Sequence, residues 1–137
     1  MHTNMSATLE SRTLTVAIAR EADAVYQFVS NPANLPQWAT AFCKSIRPAG
    51  ADWLMETTAG PMRVRFVPPN AFRVADHLVS PAPGVEIHVP MRVLQNGSGS
   101  EVVFTLFRPP EMPPEKFAED IRLVTQDLQT MKRVLEK

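Results

Sequence analysis

The pairing most open to chemistry in this 137-residue chain is Asp76-His77, an acid beside an imidazole, inside "NAFRVADHLVSPAPGVEIHVPMRV". A carboxylate can accept a proton, and an imidazole exchanges one near neutral pH. Neighbours on a strand point to opposite faces, so strand register decides whether the two could act together. If "SPAP" is a four-residue loop, Val79 pairs with Gly84 and Leu78 with Val85. Phe72, Val74 and Asp76 then face inward, with Asp76 opposite Ile87, while His77 faces outward opposite Glu86. On that register Asp76 is the candidate catalytic residue, as a general base or as the holder of a ligand hydroxyl, and His77 and His88 are surface residues. A bulge or another loop register would turn Asp76 to solvent instead.

The other reactive side chains are sparse. Lys44 acquires inward parity if "PAGA" closes its hairpin, because Arg47 then pairs with Asp52 and Ile46 faces in with Trp53. An inward Lys44 could partner Asp76 or a ligand carboxylate; the alternative is snorkelling at the sheet rim or a bulge. Arg108, beside Pro109 at a strand end, is a candidate mouth residue. Cys43 is the one cysteine, so no internal disulfide forms, and it reads as a small buried apolar residue in a protein of a reducing, cytoplasmic compartment. The three histidines lack partners at metal-ligand spacing, and there is no Gly-rich phosphate loop or nucleophile elbow, so neither metal nor cofactor is expected.

Composition narrows the class. Fourteen basic residues balance fourteen acidic ones, which gives no reason to expect nucleic acid as a partner. No apolar run reaches the length of a membrane span or a leader. Residues 1–10 read as a loose tail before a single domain over 11–137. Thirteen prolines cluster between apolar runs and mark turns.

The elements that must position these residues follow from periodicity. "SRTLTVAIA" alternates as a half-buried strand. "READAVYQFVS" carries Ala24, Val25, Phe28 and Val29 at helical spacing, and "NPANLPQWA" opens a second short helix with Asn31 as cap and Pro32 in the first helical position. Six strands follow at about 42–48, 53–58, 61–67, 72–79, 85–94 and 101–108. "PPEKFAEDIRLVTQDLQTMKRVLEK" is a long helix with Phe117, Ile121, Val124, Leu128, Met131 and Leu135 on one stripe. In the second hairpin a loop over Thr58–Pro61 aligns Trp53, Met55, Met62, Val64 and Phe66 inward and Glu56 with Arg63 outward. In the last, "NGSG" sets Val102, Phe104 and Leu106 inward with Met91 and Val93, and leaves Phe107 outside.

This order, with "ADAVYQFVSNPANLPQW" after the first strand and "FAEDIRLVTQDLQTMKRVLEK" at the end, resembles the helix-grip superfamily, also called START-like or SRPBCC, which includes polyketide cyclases and lipid-transfer domains. The resemblance covers about residues 11–136. It implies an α+β fold: a curved seven-stranded antiparallel sheet wrapped around the C-terminal helix, with a cavity between them for apolar or amphipathic small molecules.

Three functions fit. The first is binding of such a molecule, with Trp38, Trp53, Met55, Val64, Phe66, Val74, Ile87, Val89, Met91, Phe104, Ile121 and Leu128 as lining. The second is a cyclase- or dehydratase-like enzyme acting on a ketide-type or aromatic molecule through Asp76. The third is an interaction module with a filled core that associates through Phe107. A monomer or a homodimer fits each.

Overall fold

Alternation of Leu14, Val16 and Ile18 with polar neighbours makes Glu10–Ile18 a strand, β1, with one buried edge of side chains. A computed structural model describes residues 8–137, so the tail expected over 1–10 falls largely outside the described residues, and Glu10 already pairs with Arg108. Helix α1 (Ala22–Val29) buries Ala22, Val25, Tyr26 and Val29, with Asp23 in its first turn. The next segment is a 3₁₀ turn over Pro32–Asn34 that runs into α2 (Leu35–Trp38). Asn31 Oδ1 accepts the Ala33 N–H at 3.0 Å, so the cap sits where the sequence puts it.

Strands β2 (Cys43–Ala49), β3 (Asp52–Thr57), β4 (Gly60–Phe66), β5 (His77–Ala82) and β6 (Val85–Val89) form a five-stranded antiparallel sheet in chain order. Strands β7 (Met91–Asn96) and β8 (Gly99–Arg108) join β1 in a three-stranded sheet, order β1-β8-β7. The long helix α3 (Pro114–Leu135) packs chiefly on β1 and α2. Among the described residues no helix is long and apolar enough to cross a membrane.

The expected single seven-stranded sheet is therefore two sheets with eight strands. Pro90 is the cause: it has no N–H to give to a ladder, and it divides the run 85–94 into β6 and β7. The sheets stay stitched at this corner. The Ala75 N–H donates to the Met91 carbonyl at 2.8 Å, the Val93 N–H to the Arg73 carbonyl at 3.1 Å, and Val74 forms a bridge with Arg92. Arg73 reaches the left-handed region here at φ 57°, a costly conformation for a residue with a Cβ, and its guanidinium holds Asp23 of α1 at 2.8 Å.

Each hairpin loop but the last is two residues tighter than read from the sequence. Thr57 pairs with Gly60 and Ala49 with Asp52, so Glu56 faces Pro61, and Arg63 and Arg65 turn to Asp52 instead of Glu56. A change of two leaves side-chain parity intact, and Trp53, Met55, Met62, Val64 and Phe66 do share the inner face. The last hairpin closes at Gly97-Ser98 with Met91 opposite Phe104 and Val93 opposite Val102, as expected, and Phe107 is exposed on the outer face.

Candidate ligand-binding face

Parity fails where it matters most. Ala82 pairs with Val85 across a Pro83-Gly84 turn, with Gly84 at φ 79°, the geometry that proline then glycine favours in a type II turn. A bulge then intervenes, and Val79 pairs with Ile87. Pro81 lies inside that bulge and has no N–H for a ladder. The register shifts by an odd number of residues, so every side chain upstream changes face. Phe72, Val74 and Asp76, expected on the inner face, take the other one: Phe72 is 83% exposed and Val74 shares the face of exposed Arg92, while Asp76 on that side stays buried at 8% exposure. His77, expected outward, is the residue that enters the interior, where it is 7% exposed.

Asp76 is occupied by the corner. Its Oδ1 accepts the Met91 N–H at 2.9 Å, which replaces the pairing lost beside Pro90, and its Oδ2 lies 3.1 Å from Arg92 Nη2 and 3.8 Å from His88 Nε2. Burial is the largest single influence on this carboxyl and pushes its pKa up. The Arg92 guanidinium, the Met91 N–H and the charge of Arg92 together outweigh it and leave the pKa below the ordinary value. His88 itself is exposed, as expected.

His77 has the opposite setting. Its ring stacks on Phe66, its cross-strand partner, with centroids 4.4 Å apart, and meets the edge of Phe104 at 6.3 Å. Nδ1 lies 3.0 Å from the Ala75 carbonyl. Desolvation lowers its pKa to about 4, although the Ala75 carbonyl and the nearby Asp76 charge pull the other way. The ring is neutral at pH 7. A carbonyl can only accept, so the proton sits on Nδ1 and Nε2 carries a free lone pair.

Around it stands an apolar wall. Met55, Val64, Met91, Phe104 and Leu128 are buried, while Trp53, Met62, Phe66, Val89 and Leu106 on the inner sheet face and Ile121 on α3 are only half-buried. Ile87 has inward parity but lies beyond the cover of the helix, at 36% exposure. Trp38 is 3% exposed, and its indole N–H is buried without an acceptor among the described residues. Lys44 sits at a bulge between Cys43 and Ser45 and is exposed, the alternative to the inward position its parity offered. Arg108 closes the far end of β8 by donating to Glu10 at 3.0 Å and to the Met112 carbonyl at 2.8 Å.

A residue that sequence reading passed over is Asp127. It lies on the buried stripe of α3 between Val124 and Met131, is 2% exposed, and accepts the Ala41 N–H at 2.9 Å. Desolvation raises its pKa to about 6 against the opposing pull of that hydrogen bond. The spacing was the available signal: three residues after Val124 and four before Met131 is an apolar position. Burial and the Asp127 charge raise the Cys43 thiol to about 11, as befits the inert buried residue expected. Two open surface grooves lie elsewhere. One of about 500 Å³ runs between Thr40-Ala41 and the Thr125–Arg133 side of α3. One of about 310 Å³ lies beside Ala17–Ala19 and Lys132. Neither is lined by the apolar wall around His77. Among the described residues no group of acidic, histidine and cysteine side chains is arranged to hold a metal.

No family model and no curated protein sequence matches the chain. Solved structures do. XoxI from Bacillus cereus superposes with a TM-score of 0.76 at 18% identity, covering 93% of this chain and 96% of its own. The Zhui aromatase/cyclase from Streptomyces sp. R1128 gives 0.72 at 15% identity, with 93% and 94% covered. A START superfamily protein from Mycobacterium smegmatis gives 0.69 at 12% identity, with 91% and 98% covered. With its antiparallel sheets, its helix pair after β1 and its long terminal helix, this chain has the helix-grip fold of START-like and aromatase/cyclase proteins.

Proposed function

We propose that the chain binds a small, mainly apolar molecule between α3 and the inner face of β3–β8. The observation that carries this reading is the wall itself: Trp53, Met62, Phe66, Val89 and Leu106 share the inner face yet stay half-buried, because α3 packs mainly on β1 and α2. An apolar ligand would remove that surface from water, at roughly 25 cal/mol per Å². Structural neighbours that include a START superfamily protein and an aromatase/cyclase support the same reading. A single buried cysteine, with no internal disulfide open to it, is compatible with the cytoplasmic setting we propose.

A cyclase- or dehydratase-like activity is the second reading, and here the acid–base candidate moves from one residue to the next. Asp76 is engaged by Met91 and Arg92, whereas His77 presents a free Nε2 beside the wall. Native mass spectrometry of gently purified protein tests the binding reading. A retained adduct of small-molecule mass supports it. Protein that carries no adduct and also binds none of the aromatic probes named below refutes it.

A further inference from the structure

The ring nitrogen at the centre of the apolar wall restricts what can bind there. We propose that His77 Nε2 is a selective acceptor that takes neutral planar ligands bearing a hydroxyl donor, and that it disfavours carboxylates. The proposal rests on the binding reading above and specifies its ligand class.

Three observations carry it. First, His77 is 93% buried by its 7% exposure, and Nε2 has no hydrogen-bond partner among the described residues. This nitrogen is not among the fully enclosed unpartnered polar atoms, which are Trp38 Nε1 and Ser100 Oγ, so it meets water-accessible space, and a ligand donor there gains a net hydrogen bond of about 1 kcal/mol. Second, the Ala75 carbonyl at 3.0 Å fixes the proton on Nδ1, so the ring corner farthest from the backbone offers only a lone pair. A carboxylate oxygen would meet it lone pair against lone pair. Third, among the described residues no cation of the neighbouring strands stands beside the ring. Arg65 and Arg92 neighbour Phe66 and Met91 on the opposite face, and Lys44 is turned out at its bulge. Arg108 and Arg12, at the far end of the β1–β8 pair, lie opposite Glu10 and Leu106. The flat shape follows from the rings: Phe66 already stacks on the imidazole at an interplanar angle of 16°, and offset stacking rewards planar partners.

Equilibrium dialysis at pH 7 with naphthalene, 2-naphthol and 2-naphthoate tests this. The three probes share a ring system and differ in the group offered to Nε2. The wild-type protein should bind 2-naphthol about fivefold more tightly than naphthalene, the worth of one net hydrogen bond of about 1 kcal/mol, and 2-naphthoate more weakly than either. His77→Phe, whatever its affinity for naphthalene, should lose the preference for 2-naphthol over naphthalene. His77→Gln, which restores an acceptor, should recover part of it and serves if the Phe variant fails to fold. A 2-naphthol preference that survives in both variants overturns the proposal, as does a wild-type preference for 2-naphthoate. Naphthalene binding with no gain for 2-naphthol overturns the hydroxyl selectivity and leaves the pocket standing. Failure of all three probes overturns both.

Discussion

Replacing Asp127 by asparagine should stabilise the protein progressively as pH rises. The carboxyl is 2% exposed, hydrogen-bonded once to the Ala41 N–H, and its pKa stands at about 6. A folded value raised above the unfolded one means that the folded state binds the proton more tightly. Its contribution is full below the unfolded pKa, near 4, and is lost as pH rises through about 6. Integrating between pH 4.5 and pH 8 gives about 2 kcal/mol of wild-type stability lost on this account. The substituted side chain can keep accepting the Ala41 N–H through its amide oxygen and has no charge to bury. Its NH₂ group carries a cost of its own, but that cost is the same at every pH. The informative quantity is therefore the change in the variant-minus-wild-type difference, which should favour the variant by about 2 kcal/mol more at pH 8 than at pH 4.5. His77 titrates with the opposite sign: its lowered pKa favours the folded state above the ordinary histidine value and removes that stability as pH falls toward about 4. Both proteins contain it, so it cancels. Urea unfolding followed by Trp38 and Trp53 fluorescence at a series of pH values supplies the numbers. A difference that stays flat from pH 4.5 to 8 would refute the argument that burial dominates at this carboxyl.

Asp76→Ala should cost about 1–3 kcal/mol, because it leaves the Met91 N–H at the sheet corner without its acceptor; urea unfolding measures it, and a neutral result would show that the corner does not depend on this carboxylate. Since the pKa of Asp76 is depressed in the folded state, the part of its contribution that depends on its charge is present above the ordinary aspartate range and disappears as pH falls below it, so the gap between variant and wild type should narrow in acid without closing. Cys43, with its thiol at about 11, should react with an aromatic disulfide reagent far more slowly in native protein than in urea, and equal rates would place the thiol at the surface.

The fold was legible because most of its register errors came in twos. Loops at Thr58-Ala59 and Gly50-Ala51 are shorter than the turn chemistry suggested, yet the inner faces of β3 and β4 survive unchanged, since strand parity has a period of two. The site was not legible because its error was odd. Pro81 inside β5 was the warning: a residue with no N–H cannot sit in a regular ladder, and the Pro83-Gly84 pair already offered a tighter turn than "SPAP". Lys44 is turned out by a bulge one residue wide, the alternative that strand parity alone left open. Asp127 hid in an apolar stripe, where periodicity marks the position as buried but does not say that an acid will occupy it. The seven-stranded expectation failed at Pro90 alone, one residue that turns a continuous run into two strands belonging to different sheets.

That division has a consequence for the imidazole. Phe66 belongs to the five-stranded sheet and Phe104 to the three-stranded one, and His77 touches both, one residue after the corner where Asp76 joins the sheets. The gap between the two phenyl rings is thus a dimension of the dihedral between sheets and of neither sheet alone. The Asp76–Met91 bond and the Arg73–Val93 and Ala75–Met91 backbone bonds that tie the corner therefore hold the aromatic stack on His77 as well as the two sheets.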